Sequence, residues 1–395
     1  MATVRVGGLL TAIVGIGALS IDMFLPSLPE IARRFRTDEA TAQLTVTLFL
    51  LSFALAQLAL GPTSDRLGRR RVLLGGLALY VIGAVACALA PDVRVLVVAR
   101  VVQGFGAGSG PVVGRAIVRD VYPREHAARV LGIMATAQAL TPVLAPIAGG
   151  YLQTWFGWRS VFAVLAAAGA AFLAGARALV AETAPAPAAA RGAGLWRDAR
   201  QLLCDRAFVG YALAVTLVFS GQFAFISGSS FVLIGILRVA PSTYGWCFAT
   251  VAFGLMTGGY LTARHTVRKG TRRLVAAGAA VSALGGTAMV ALVLVGRVGV
   301  AGIVIPMYLY AVGAGLVMPS GMAGALGPHP RVAGLASALL GFLQMGGSAA
   351  YSIAVSLLYD GSALPMAGAI ATSGVACLAC AVLTLRPADA RGAPG

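Results

Sequence analysis

"GPTSDRLGRRR", residues 61–71, sets Asp65 among Arg66, Arg69, Arg70 and Arg71. Residues 41–60 before it carry no charge, and neither do residues 72–91 after it. A run of about twenty uncharged residues is what a helix needs to cross a hydrocarbon layer roughly 30 Å thick, at about 1.5 Å per residue. The stretch therefore reads as a short polar turn between two membrane-crossing helices. Pro62 is expected to stop the first helix, and Gly68 to allow the tight turn into the second.

Composition agrees. Of 395 residues, 59% are hydrophobic and 11% are charged, and the mean hydropathy is +0.88. Soluble domains carry about 25% charged residues. Polar material is too scarce here to cover a surface in water, so the chain is read as an all-α integral membrane protein. Twelve spans are expected, at roughly 7–28, 41–61, 72–90, 95–118, 130–153, 160–180, 207–229, 243–263, 274–296, 299–320, 332–357 and 363–385. Residues 1–180 would form one six-helix bundle and 207–395 a second. The Pro/Ala-rich stretch 181–206 would be a central linker, with a short amphipathic helix over Leu195–Leu203.

The net charge of +17 does not imply nucleic acid. With the N-terminus inside, the Lys/Arg residues favour the predicted inner loops over the outer ones by roughly three to one, which is the orientation bias of membrane proteins. Both termini and the linker are therefore expected in the cytoplasm, with part of the basicity against anionic lipid. The first apolar run is full length and is read as an uncleaved span. Cys377 and Cys380 form CxxC inside an apolar helix and are read as packing. The histidines His126, His265 and His329 fall in predicted loops. No metal-ligand cluster, phosphate loop or nucleophilic triad stands out, so neither an enzyme nor a cofactor is expected.

The spacing Gly61-x-x-x-Asp65-Arg66-x-Gly68-Arg69-Arg70 resembles the loop 2–3 motif of the major facilitator superfamily. In span 4, "ARVVQGFGAGSGPVVGRAIVRD" (99–120) resembles the drug-exporter motif, an Arg with Gln-Gly three residues on and then small residues. In span 5, "APIAGGYL" (145–152) is similar to the antiporter motif, with Pro146, Gly149 and Gly150 in place and Ala145 where a glycine is usual. "GGYLTARHTVRKG" (258–270) is a degraded echo of loop 2–3, with Ala263 at the aspartate position. Such an echo is expected of a fold built from repeats. "SIDMFLPSLPEIARRF" (20–35), "RAIVRDVYPRE" (115–125) and "APIAGGYLQTWFGWRSVF" (145–162) resemble the bicyclomycin and chloramphenicol resistance (Bcr/CflA) drug–proton antiporters.

That resemblance implies a bacterial inner-membrane exporter of small neutral or weakly charged antibiotics, driven by protons and acting without a cofactor. Its partners would be the drug, protons and the bilayer, and it would act as a monomer. An exporter of an endogenous metabolite and a proton-coupled uptake symporter of the same fold remain open. The resemblance also implies a latch in which Asp65 and Arg69 take part, with Asp120 as a partner for Arg69. A substrate cavity between the halves would draw polar groups from Gln57, Gln138, Gln222, Tyr308, Tyr310 and Gln344, and apolar walls from Phe24, Phe223 and Met307.

Asp22 lies inside an otherwise uncharged run, where an ionisable group is costly and usually functional. Asp22 and Arg100 sit at similar depth from the same helix ends, so they are expected to meet. They would act either as a fixed ion pair or as a carboxyl that exchanges a proton for drug while Arg100 holds its ionised form.

Overall fold

The computed structural model describes residues 2–183, 195–329 and 332–384, and all regular structure among them is helical. Residues 184–194 of the expected linker, and the tail beyond 384, lie outside the described residues. The first half comprises α1 (Ala2–Asp22), α2 (Leu28–Phe35), α3 (Glu39–Leu67), α4 (Arg69–Leu89), α5 (Val93–Ala107), α6 (Ser109–Val121), α7 (Arg124–Phe156) and α8 (Trp158–Leu179). The second comprises α9 (Leu195–Cys204), α10 (Arg206–Ser230), α11 (Pro241–Leu294), α12 (Val300–Leu326), α13 (Ala333–Leu357) and α14 (Leu364–Thr384).

Among the described residues, eleven continuous helical stretches are long and apolar enough to cross a membrane, α5 and α6 forming one of them as Val93–Val121. One of the eleven, α11, has 54 residues and breaks at Gly270, whose φ of 74° and ψ of 157° lie outside the helical region. Its two arms are separate spans, which brings the total to the twelve read from the apolar runs. Large apolar side chains such as Leu58, Ile82 and Val98 are more than half exposed, as suits helices whose outer solvent is lipid. The helix over Leu195–Cys204 stands where the amphipathic segment was expected.

Pro62 does not end its helix, because α3 continues to Leu67 and carries the proline inside it. The Thr63 hydroxyl donates to the Ala59 carbonyl (2.7 Å) and the Ser64 hydroxyl to the Gly61 carbonyl (2.8 Å). The carbonyl that the proline leaves without a backbone donor is that of Leu58, four residues back, and helices packed in a membrane bundle tolerate such a loss. The turn comes at Gly68, whose φ of 102° disfavours any residue with a Cβ.

By internal contacts the chain forms two units. One contains residues 1–190 together with Ser229–Ala249, the other residues 191–228 and 250–395. In the first unit α5 is the hub, packed on α3 and α4. A Cβ on Gly106 would overlap the Tyr80 nitrogen and the Gly76 carbonyl oxygen, so α4 and α5 meet backbone to backbone. In the second unit Tyr310 of α12 is the central tie, its hydroxyl donating to the Val218 carbonyl (3.0 Å) and pairing with Ser373 Oγ (2.8 Å).

Candidate functional site

Arg100 is fully buried on α5. Its Nε donates to the Thr45 carbonyl (3.1 Å), and its Nη1 to the Ser20 carbonyl (3.3 Å) and Gln103 Oε1 (2.7 Å). The guanidinium carbon lies 4.0 Å from the Phe49 ring centroid, 4.8 Å from that of Phe24 and 5.8 Å from that of Phe162. A desolvated guanidinium over an aromatic face gains about 2 kcal/mol. Nη2 has no hydrogen-bond partner among the described residues. Nearby, Ser20 Oγ and Tyr80 Oη lie 2.7 Å apart, tying α1 to α4 at the same level.

Asp22, two residues beyond Ser20, is 5% exposed at the C-terminal end of α1. Arg100 therefore reaches the depth of Asp22, holding the backbone at Ser20 and facing the ring of Phe24. The two groups nevertheless form no ion pair, and no hydrogen bond to the Asp22 carboxylate occurs among the described residues. Residues 20 and 24 share one face of the helical path, and residue 22 points roughly opposite to it. The carboxylate instead lies within electrostatic range of Tyr244, whose hydroxyl pairs with Ser229 Oγ at 2.9 Å.

Around Asp22 the backbone is close-packed. A Cβ on Gly149 would overlap the Met23 carbonyl oxygen, one on Gly150 the Pro241 carbonyl oxygen, and one on Gly245 the Pro146 carbonyl oxygen. The span 5 motif residues thus let α7 seat the segment after Asp22 on one side and the start of α11 on the other, all within the first unit.

At the turn between α3 and α4, Arg69 Nη1 pairs with Asp65 (2.5 Å) and donates to Ser64 Oγ (2.6 Å), while Nε pairs with Asp120 at the end of α6 (3.2 Å). Arg70 donates to the Arg177 carbonyl (2.8 Å) and its backbone N–H donates to Glu182 (3.3 Å). Gly61 lies on α3, and Arg66 is exposed with no acidic partner among the described residues.

The residues expected in a substrate cavity divide. Gln57, Gln138, Gln222, Tyr308 and Gln344 are half-buried. Phe24, Met307 and Tyr310 are fully buried and Phe223 nearly so. Phe24 faces Arg100, and Tyr310 spends its hydroxyl inside its own unit. Arg115 was given no role by its spacing. It is exposed on α6 and donates to Gln138 Oε1 (3.1 Å), adding a cation beside the one glutamine of α7 expected at the site. A cavity of about 610 Å³ lies between the first turns of α1, the end of α6 and the start of α7, lined in part by Thr11, Tyr122, His126 and Arg129. None of the expected substrate residues lines it. No group of His, Cys, Asp or Glu able to hold a metal occurs among the described residues.

A family model described as the Major Facilitator Superfamily matches residues 10–352. The chain belongs to the major facilitator superfamily. Among its relatives is a Bacillus subtilis (strain 168) protein described as an uncharacterized MFS-type transporter, 33% identical over 84% of this chain and 83% of the relative. The chloramphenicol resistance protein of Pseudomonas aeruginosa is 30% identical over 89% and 84%. Multidrug resistance protein D of Escherichia coli (strain K12) is 28% identical over 86% and 85%. Two solved structures share the fold: a D-xylose–proton symporter (TM-score 0.73, 15% identity, 97% of both chains) and a peptide transporter, POT (TM-score 0.76, 15% identity, 96% and 94%). As a member of this superfamily the protein is a multi-pass membrane transporter of small molecules, not an enzyme.

Proposed function

We propose that this transporter exports small neutral or weakly charged antibiotics, of amphenicol or bicyclomycin type, from the bacterial cytoplasm in exchange for protons. The observation that carries this reading is the Asp22 carboxylate: 5% exposed, within a membrane-crossing segment, and without an ion pair among the described residues. Such a group is tolerable when it can take up a proton, and a carrier needs a group that does so. Arg100 is the partner held ready, anchored two residues away at Ser20 with both N–H donors of Nη2 unspent.

In the proposed cycle Asp22 takes a proton from the outside as drug leaves. Facing the cytoplasm, it gives the proton up as drug binds, and Arg100 then receives the ionised carboxylate once the end of α1 has turned its residue 22 face toward α5. The driving force suffices. One charge moving through 100 mV is worth about 2.3 kcal/mol, so about 150 mV supplies roughly 3.5 kcal/mol, on the order of a 300-fold drug gradient. The relatives described as chloramphenicol and multidrug resistance proteins support the substrate class. The Asp65–Arg69–Asp120 cluster supports a conformational latch on the cytoplasmic side.

The test is a growth-inhibition screen across antibiotic classes in a pump-deficient host, with and without an uncoupler. Expression should raise resistance to at least one amphenicol-sized neutral drug, and the uncoupler should remove the gain. In vesicles, Asp22→Asn should abolish accumulation driven by a pH gradient while drug exchange at equal concentrations continues. Resistance that survives collapse of the proton gradient, or normal accumulation by Asp22→Asn, would overturn the reading.

A further inference from the structure

The loop at 61–71 carries four arginines, and the fold employs only two of them. Arg69 is taken by Asp65, Asp120 and Ser64, and Arg70 by the Arg177 carbonyl and Glu182. Arg66 and Arg71 are exposed, and neither has an acidic partner among the described residues. A groove of about 420 Å³ runs between α3 and α4, and Arg71 lines it, with Arg66 on the same turn of chain. Leu60 and Leu67 form one wall. Arg71, Gly75 and Leu79, spaced four apart on one helical face, form the other, and Phe105 of α5 closes the floor. Gly75 matters to the shape: a Cβ built there meets nothing within 4 Å, so the groove is open where a larger side chain would fill it.

An apolar trough in a membrane-crossing segment, ending at the Arg71 guanidinium with the exposed Arg66 on the same polar turn, has the charge pattern of a single kind of molecule. We infer that this groove is a binding site for an anionic phospholipid, with an acyl chain against Leu60, Gly75, Leu79 and Phe105 and the phosphate on Arg66 and Arg71. Guanidinium groups suit phosphate because their donors are forked and planar. Each arginine near the surface adds about fivefold to the preference for an anionic lipid, so the pair adds about thirtyfold. This site does not depend on the proposed transport cycle, although its headgroup end shares a turn with the Arg69 cluster.

Native mass spectrometry of the full chain, exchanged into equal amounts of phosphatidylglycerol and phosphatidylcholine with matched acyl chains, tests the assignment. Phosphatidylglycerol should be retained over phosphatidylcholine by about thirtyfold. Arg66→Gln combined with Arg71→Gln should bring the ratio close to parity. Gly75→Leu, which enters open space and so keeps the fold, should lower retention of both lipids and leave their ratio unchanged. A phosphatidylglycerol bearing a photoreactive acyl chain should label peptides of α3 and α4. An unchanged ratio in the double arginine variant, or unchanged retention in Gly75→Leu, overturns the proposal. So does full displacement of lipid by millimolar inorganic phosphate, which would leave only an anion site. Efficient crosslinking of Gly75→Cys to another segment of the chain in membranes would make that segment the occupant, and also overturns it.

Discussion

Arg100 is a charge whose burial is offset by many small partners rather than by one counterion. Two carbonyls, one amide oxygen and three phenyl rings surround it. Lysine would keep the charge but lose the fork, and one ammonium cannot reach Thr45, Ser20 and Gln103 while lying flat on Phe49. Arg100→Lys should therefore cost about 2 kcal/mol of stability, seen as a lower unfolding temperature in detergent, and should leave only partial export. The Arg69 cluster differs, because its side chains reach solvent: Arg69 is 11%, Asp120 22% and Asp65 58% exposed. Surface pairs of this kind contribute less than about 1 kcal/mol. Asp65→Asn and Arg69→Ala should leave expression and drug binding near wild type and cut the transport rate sharply; unchanged rates in both would leave these as ordinary loop charges. Sequence alone made Asp22 and Arg100 neighbours in depth, and in depth they are neighbours. What it could not supply is the azimuth of one side chain. The helical period sets residue 22 opposite residue 20, but which of those faces meets Arg100 follows from how α1 packs on α5 and not from periodicity.

Helix contacts here are made by what glycine lacks. Gly106 touches α4 through backbone alone, whereas Gly132 of α7 has nothing within 4 Å of its missing Cβ. The same substitution should act in opposite directions at the two positions. Gly106→Ala should overpack the α4–α5 contact and cost about 2 kcal/mol or more. Gly132→Ala should add about 0.5–1 kcal/mol, because it only removes chain freedom. Heat-stability curves of the two purified variants would check this, and equal effects would contradict it. The twelve spans were legible because length and lack of charge define a span in lipid, and the turn at Gly68 because a positive φ there favours glycine. Pro62 misled because the rule that proline ends a helix belongs to chains surrounded by water. In α3 the helix runs on past the proline to Leu67. Phe24 and Met307 are harder to read, since a hydrophobic residue on a membrane helix carries no mark of whether it faces a cavity or another helix.

At the scale of the molecule, the distribution of arginine predicts a sidedness that tags can read. Reporters at the N-terminus, after Glu182 and at the C-terminus should all signal cytoplasm, and an external signal at any one would break the argument from basic loops. The contact-based units cut across the hydropathy-based halves, since Ser229–Ala249 groups with the first half of the chain. No hydropathy profile contains that grouping. It arises from small residues, Gly149, Gly150 and Gly245, each meeting a distant backbone. One of those meetings bears on economy of fuel. Gly149 lies against the Met23 carbonyl, one residue past the carboxylate, so no file of water has room to pass at that point. In electrical language the contact is an insulator, and a carrier's efficiency is set by its leak. Gly149→Ala should wedge the joint open and raise the passive proton current. Liposomes holding this variant should lose an imposed pH gradient faster than wild type even when no drug is present.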